Sequence, residues 1–318
     1  MKSPLGSISP AGFLLLEGHM RVLVTGSSGR IGRAIWCALV RAGYSPVGLD
    51  RAPASTTAFV GDVGDPTLVA QALTGVQAVI HTAALHAPHV GLVTDEHFRR
   101  INVDATVALA EAARQRGIAP FIFTSTTALY GSAVPSKGPA LWIDENTVPQ
   151  PRSIYHHSKL QAEEALTAMA QDGGLTVTIL RMSRCFPESA PIMAVYRLHR
   201  GIDARDVASA HVAALHRTGT DVARYIISGQ PIFEPGDMAS LGSDAAAVLT
   251  QAAPDLAAAF SQRCWRLPLR IDRLYDPAKA ISELGWTPRY RWDEVLAELD
   301  RASSEVLPPG AEGNVTSE

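Results

Sequence analysis

The sequence predicts an α/β fold built on a doubly wound parallel sheet. Three observations carry that expectation. Short apolar runs recur along residues 21–180, and helical stretches separate them. The runs are unbroken rather than alternating, which suits strands covered on both faces. A turn with glycines three apart, Thr25-Gly26-Ser27-Ser28-Gly29-Arg30-Ile31-Gly32, joins the first run to the first helical stretch.

Taken in order, Arg21-Val22-Leu23-Val24-Thr25 is the first expected strand, and a helix follows over about 30–41, closed by Gly43. Val47-Gly48-Leu49-Asp50, Ala58-Phe59-Val60 and Ala78-Val79-Ile80-His81 are the second, third and fourth strands. A long helix is expected over about 95–116, ending at Gly117, and Phe121-Ile122-Phe123-Thr124 is the fifth strand. A helix over about 153–170 leads to the sixth strand, Thr176-Val177-Thr178-Ile179-Leu180. Beyond Arg181 the regularity weakens into loops and two alanine-rich helical stretches, 206–217 and 238–260. The expected organisation is a structureless extension over 1–19, a nucleotide-binding domain over 20–180, a small discontinuous substrate region over 181–302 with elements returning to the first domain, and a disordered tail over 303–318.

Composition narrows the function classes. The chain has 318 residues, 47% hydrophobic and 19% charged, with a formal net charge of -3. That balance lacks the basic excess of a general nucleic-acid binder. No apolar run is long enough for a transmembrane helix. Cys37, Cys185 and Cys264 are too few and too scattered for a disulfide framework or zinc site, so a reducing compartment, the cytoplasm, is the default. The histidines at 81, 86, 89, 156 and 157 form no recognised ligand spacing, and no metal is expected.

The glycine turn sits between a strand and a helix. Glycines let the backbone turn tightly and approach a pyrophosphate, and the helix N-terminus offers unpaired N–H groups and partial positive charge. Asp50 ends the second strand, where a carboxylate can accept hydrogen bonds from both hydroxyls of an adenosine ribose and favour NAD over NADP. Arg51 beside it could instead pair with a 2′-phosphate. Asp62-Val63 could flank an adenine or be a simple turn. Tyr155 and Lys159 are four apart on a predicted helix and face the same way. A nearby ammonium stabilises a phenolate and lowers a Tyr pKa that is otherwise near 10, too high for a base at neutral pH. The hydroxyl run Thr124-Ser125-Thr126-Thr127 ends the fifth strand at the edge where such folds bind ligands.

These pieces together resemble the extended short-chain dehydrogenase/reductases of the NAD-dependent epimerase/dehydratase family, with a Rossmann-type fold. The resemblance rests on Thr25–Gly32, Asp50, Gly61-Asp62-Val63, His81-Thr82-Ala83-Ala84, Asn102, Thr124–Gly131, Tyr155–Lys159 and Leu180-Arg181, and on Asp276-Pro277-Ala278-Lys279-Ala280 with Leu284-Gly285-Trp286-Thr287-Pro288. It covers about residues 20–300. It implies NAD as cofactor, held by Gly26, Ser28, Gly29, Arg30, Ile31, Gly32, Asp50, Arg51, Asp62, Val63, Ala83, Ala84, Asn102, Thr124, Tyr155 and Lys159. It implies Tyr155 as general acid/base, Lys159 as the group that lowers its pKa, and Thr126 as the hydrogen-bond partner of the reacting oxygen. It also implies a homodimer through helices at about 95–116 and 153–171, with a small-molecule substrate.

Within the family, 4,6-dehydratases carry an Asp-Glu pair after the catalytic Thr. Here Thr127-Ala128-Leu129 follows Thr126, which disfavours dehydration. Ser183–Glu188 and Tyr196-Arg197 resemble uronate dehydrogenases, so a sugar or sugar acid is expected, with nucleotide-sugar 4-epimerisation as the alternative and a non-catalytic NAD sensor behind it. His86, Thr126, Thr127, Ser183, Arg184 and Arg197 are the expected substrate contacts, with Arg197 as the grip on a carboxylate. Cys185 is expected to pack rather than react.

Overall fold

The computed structural model describes residues 20–310 apart from Ser132, Pro135, Ser136, Thr220 and Asp221. The expected extension at 1–19, and the tail beyond 310, lie outside the described residues. The strands are β1 (Arg21–Thr25), β2 (Ser45–Asp50), β3 (Phe59–Val60), β4 (Ala78–His81), β5 (Pro120–Thr126), β6 (Leu141–Ile143), β7 (Thr176–Met182), β8 (Ala223–Ile227) and β9 (Arg273–Tyr275). Seven of them form one sheet in the order β3-β2-β1-β4-β5-β7-β8, and every pairing in it is parallel. β6 and β9 pair separately. The strand order reverses between β1 and β4, so the crevice beyond their C-terminal ends is the ligand-binding edge of such a sheet.

Strand alternation sends side chains to two buried faces. Leu23, Val79, Phe121, Phe123 and Val177 pack under the helices Pro66–Ala72, Ala105–Gln115 and Ile154–Gln171. Val22, Val24, Ile80, Ile122 and Leu180 meet the helices Arg30–Arg41, Ala204–Ala214 and Ala278–Leu284 on the other face. A third core joins Ala190–Tyr196 to the short helices between 238 and 262 and to Trp292–Asp300. Among the described residues no helix is long and apolar enough to cross a membrane.

Three expectations need correction. The single helix over 95–116 is a short α-helix, Asp95–Arg99, a π-helical segment, Arg100–Asp104, and an α-helix, Ala105–Gln115. The stretch 238–260 is three helices, Met238–Ser243, Ala245–Ala252 and Pro254–Gln262. Asp244 caps the second through the Ala247 N–H, and Pro254 starts the third, where its missing N–H costs nothing. The tail expected to be disordered from Ser303 is built into the fold at least to Leu307. Val306 is buried, and Leu307 donates to the Glu188 carbonyl and accepts from the Ala190 N–H at 2.9 and 3.0 Å.

Candidate active site

One cleft lies along the C-terminal ends of β1, β2, β4, β5 and β7. At one end its wall contains Gly26, Gly29, Arg30, Ile31, Gly32, Asp50, Arg51, Asp62, Val63, Ala83 and Ala84. Gly26 has φ +73°, and a Cβ there would lie 2.8 Å from the Ala83 nitrogen. A Cβ on Gly32 would lie 2.0 Å from the Gly26 carbonyl oxygen, so the helix packs directly on the turn. The helix Arg30–Arg41 begins at Gly29 with no side-chain cap and no acid in its first turn. Its first N–H groups therefore remain available to an anion.

Asp50 holds this turn. Its carboxylate accepts from the Ser28 N–H at 3.0 Å and the Ala52 N–H at 2.9 Å, and each oxygen keeps a lone pair for a ribose hydroxyl. Asp62 accepts from the Gly64 N–H and from Arg100. Partial burial opposes its charge, but these two donors outweigh that and hold the carboxyl below its usual range. Ser28 does not line the cleft, contrary to expectation. Its hydroxyl donates to the Ala52 carbonyl and meets Thr57 at 2.7 Å, so it stiffens the turn from behind.

At the other end the wall contains His86, Thr124, Thr126, Thr127, Tyr155, Lys159, Ser183 and Arg184. Ser153 accepts from the His156 N–H and caps the helix Ile154–Gln171, which sets Tyr155 and Lys159 one turn apart. Lys159 is 3% exposed, with its ammonium 3.8 Å from the centre of the Phe123 ring. Burial drives its pKa down to about 7 against the raising influence of Glu163. Glu163 in turn is forked by Arg181 and accepts from Ser125, while Arg181 also donates to Tyr130 at 2.6 Å. Burial pushes the Tyr130 hydroxyl up to about 12. Thr126 accepts from the Ala128 N–H at 3.1 Å, and among the described residues its own O–H donates to no protein group. His81 bridges Thr25 and Thr106 behind β4, and burial keeps it neutral, with a pKa of about 3. Cys185 lies in the wall too, and burial raises its thiol to about 11.

Two further expected contacts do not reach the cleft. Asn102 is 1% exposed, and its amide joins the Leu85 backbone, through both N–H and C=O, to the Ser158 hydroxyl. It clamps the loop after β4 to the helix that carries Tyr155. Arg197 is buried and paired with Asp203 at 3.1 Å, away from the cleft wall. Arg184 does line the cleft, but Glu188 holds it bidentately at 2.8 Å.

Sequence reasoning gave no site role to Arg152, His156, Arg273 and Tyr275, all of which line the cleft, as does Arg200. Arg152 and His156 flank the Tyr155 motif and could have been flagged by that adjacency. Arg273 and Tyr275 arrive on β9, whose pairing with β6 no local pattern announces, and Arg200 arrives on the turn after the helix Ala190–Tyr196.

The family described as NAD dependent epimerase/dehydratase matches residues 22–192. A 3-beta-hydroxysteroid dehydrogenase of Mycolicibacterium neoaurum is 28% identical over 176 residues, covering 51% of this chain and 47% of that protein. A UDP-glucose 4-epimerase of Yersinia pestis is 31% identical over 182 residues, 51% of this chain and 52% of that protein. The chain thus spans about half the length of the curated relatives it matches. Among solved structures, a short-chain dehydrogenase/reductase superfamily protein from Agrobacterium tumefaciens with bound NAD aligns with TM-score 0.66 at 22% identity, over 89% of this chain and 96% of that one. MoeE5 in complex with UDP-glucuronic acid and NAD aligns with TM-score 0.64 at 24% identity, over 89% and 99%. With its seven-stranded sheet and the cleft at the sheet's switch point, the chain belongs to the NAD-dependent epimerase/dehydratase family of extended short-chain dehydrogenase/reductases, whose cofactor is NAD.

Proposed function

We propose that this chain transfers a hydride between NAD and a carbinol carbon of a sugar or sugar acid. The observation that carries the reading is that Thr126, Tyr155 and Lys159, from two separate elements, line the same cleft as the glycine turn and Asp50. NAD, when bound, supplies the hydride acceptor or donor. In oxidation the substrate O–H gives its proton to the Tyr155 phenolate while the C–H electron pair leaves as hydride, so alcohol becomes carbonyl and the electrons balance. The Lys159 ammonium stabilises that phenolate, and the Thr126 O–H steadies the reacting oxygen. Thr127 and Ala128 supply no second acid, which speaks against water elimination.

The names of the curated relatives favour a second reading, 4-epimerisation of a nucleotide sugar with retained NAD. Incubation of the purified protein with NAD and a panel of sugars, sugar acids and UDP-sugars separates the two. Net NADH formation supports the oxidoreductase, and isomerised UDP-sugar without NADH supports the epimerase. In the same reading the chain acts as a cytoplasmic homodimer through the helical segments 95–115 and 154–171. On the second of these the exposed residues His157, Gln161, Glu164 and Ala168 form one stripe. A monomer by light scattering at micromolar concentration would refute the dimer.

A further inference from the structure

Along the β5–β7 end of the cleft the fold leaves two buried polar atoms and one exposed guanidinium without partners. The Arg152 guanidinium lines the cleft beside Gly131, and among the described residues it makes no hydrogen bond or ion pair. His156 is 3% exposed and also lines the cleft. The Arg152 N–H donates to its Nδ1 at 3.2 Å, so the neutral ring carries its proton on Nε2, and that donor is buried without a partner. Ser183 is 2% exposed, and its Oγ is equally unpartnered. Buried polar groups normally find partners, and two exceptions lining one cleft, with an unpaired guanidinium in the same wall, ask for a ligand.

Charge says which kind. Among the described residues no Asp or Glu lines this end of the cleft, whereas Arg152, Arg184, Arg200 and Arg273 do. Glu188 holds Arg184, and one carboxylate, Asp272, serves both Arg200 at 4.0 Å and Arg273 at 2.8 Å. The end is therefore short of negative charge, and it offers donors. Distance says where the anion sits. His156 follows Tyr155 in the chain, with ring centres 5.7 Å apart, so both rings serve the same part of the cleft. A diphosphate joined to the reacting sugar would lie farther out.

We propose that Arg152 and the His156 Nε2–H, with Ser183 Oγ, form the subsite for a carboxylate carried by the reacting sugar itself. This rests on the oxidoreductase reading above and narrows its substrate to a sugar acid. The guanidinium can take both carboxylate oxygens in a planar fork, and the imidazole N–H and serine hydroxyl fix the plane.

The test uses the full chain loaded with NAD. Titration calorimetry with D-glucuronate and D-galacturonate reads the subsite without turnover, and NADH absorbance reads hydride transfer. The wild-type protein should bind at least one uronate far better than D-glucose or D-galactose. Arg152→Gln should weaken that binding roughly ten- to a hundredfold, the scale of a lost charge-assisted hydrogen bond, with NAD affinity unchanged. His156→Gln places an amide near the Nε2 position and should keep most of the affinity. His156→Asn places one near Nδ1 and should lose about tenfold on the same scale. A ring that only braces the Arg152 backbone gives the reverse order. The proposal is overturned if no uronate binds, if Arg152→Gln binds it normally, if the two His156 variants reverse, or if Arg152→Gln affects UDP-glucose binding alone. Uronate binding that follows the expected pattern without NADH from any sugar supports the subsite and overturns the oxidoreductase reading instead.

Discussion

The β1–β2 end of the cleft is shaped by a glycine turn with the acids Asp50 and Asp62, the β5–β7 end by hydroxyls, Lys159 and arginines. At the first end lie an uncapped helix start and a turn in which Gly26 and Gly32 leave no room for a Cβ. The turn and Asp50 are set within one strand–turn–helix unit and the strand beside it, although Arg30 reaches to Glu305 and Asp62 to Arg100. At the second end the function of each arginine depends on its partner. Arg181 is consumed by Glu163, Arg197 by Asp203 and Arg184 by Glu188, while Arg152 is left without an acid among the described residues. Identical side chains thus divide into ion-paired arginines and an unpaired one in the cleft wall according to where a few carboxylates fall. A guanidinium in the interior is tolerated only when paired, so pairing removes it from ligand duty.

The largest expected effect lies at the junction of the two ends. Tyr155→Phe should lower turnover by roughly two to four orders of magnitude and leave NAD binding nearly intact, since it removes the proton acceptor and little else. Near wild-type turnover in that variant would end the assignment.

Next in size is a contrast between arginines. Arg197→Ala should cost stability, roughly 1–3 kcal/mol, by leaving the Asp203 carboxylate short of a buried donor, with the Michaelis constant of the surviving folded protein unchanged. Thermal unfolding and steady-state kinetics on one preparation decide it. A raised Michaelis constant at unchanged stability would return Arg197 to the substrate.

The cofactor end yields a selectivity. With Asp50 facing the ribose, NAD should bind at least about tenfold tighter than NADP, because a 2′-phosphate meets a carboxylate. Equal or tighter NADP binding in a fluorescence titration would hand the site to Arg51, which is exposed in the same wall.

The smallest effect concerns pH. The folded Lys159 pKa, about 7, lies below its ordinary value of 10.5, so the unfolded chain binds more protons between those two values. Lys159 therefore destabilises the fold most below pH 7, and stability recovers as pH rises from about 7 toward 10.5. In the cofactor-free protein Lys159→Met should raise the melting temperature by a few degrees at pH 6, with the gain shrinking toward pH 10, while activity is lost. A variant less stable at pH 6 than the wild type contradicts a destabilising Lys159.

The sequence was most legible where local pattern and chemistry coincide. The six strands read from residues 21–180 stand in the sheet, because parallel strands covered on both faces are continuous apolar runs. The helix expected over 95–116 was misread only in its middle, where the π-helical turn brings Asn102 against Leu85 and Ser158, a tertiary bond that no periodicity encodes. Beyond Arg181 legibility falls. β8 joins β7 across 40 residues of chain, and β9 finds β6 across more than a hundred, so neither is announced by its neighbours in sequence.

By itself, the sequence determined six of the sheet's strands, the glycine turn with Asp50 beside it, and the Tyr155–Lys159 spacing. Each follows from interactions within one strand–turn–helix unit or one helical turn, where spacing along the chain fixes spacing in space. Only the tertiary structure decided which arginines are spent in the core and which reach the cleft, that Asn102 clamps Leu85 to Ser158, and that the segment at 303–307 closes against Glu188 and Ala190. Those outcomes depend on pairings between residues far apart in the chain. A charge has no preferred partner until folding has placed the available carboxylates and removed the water between them.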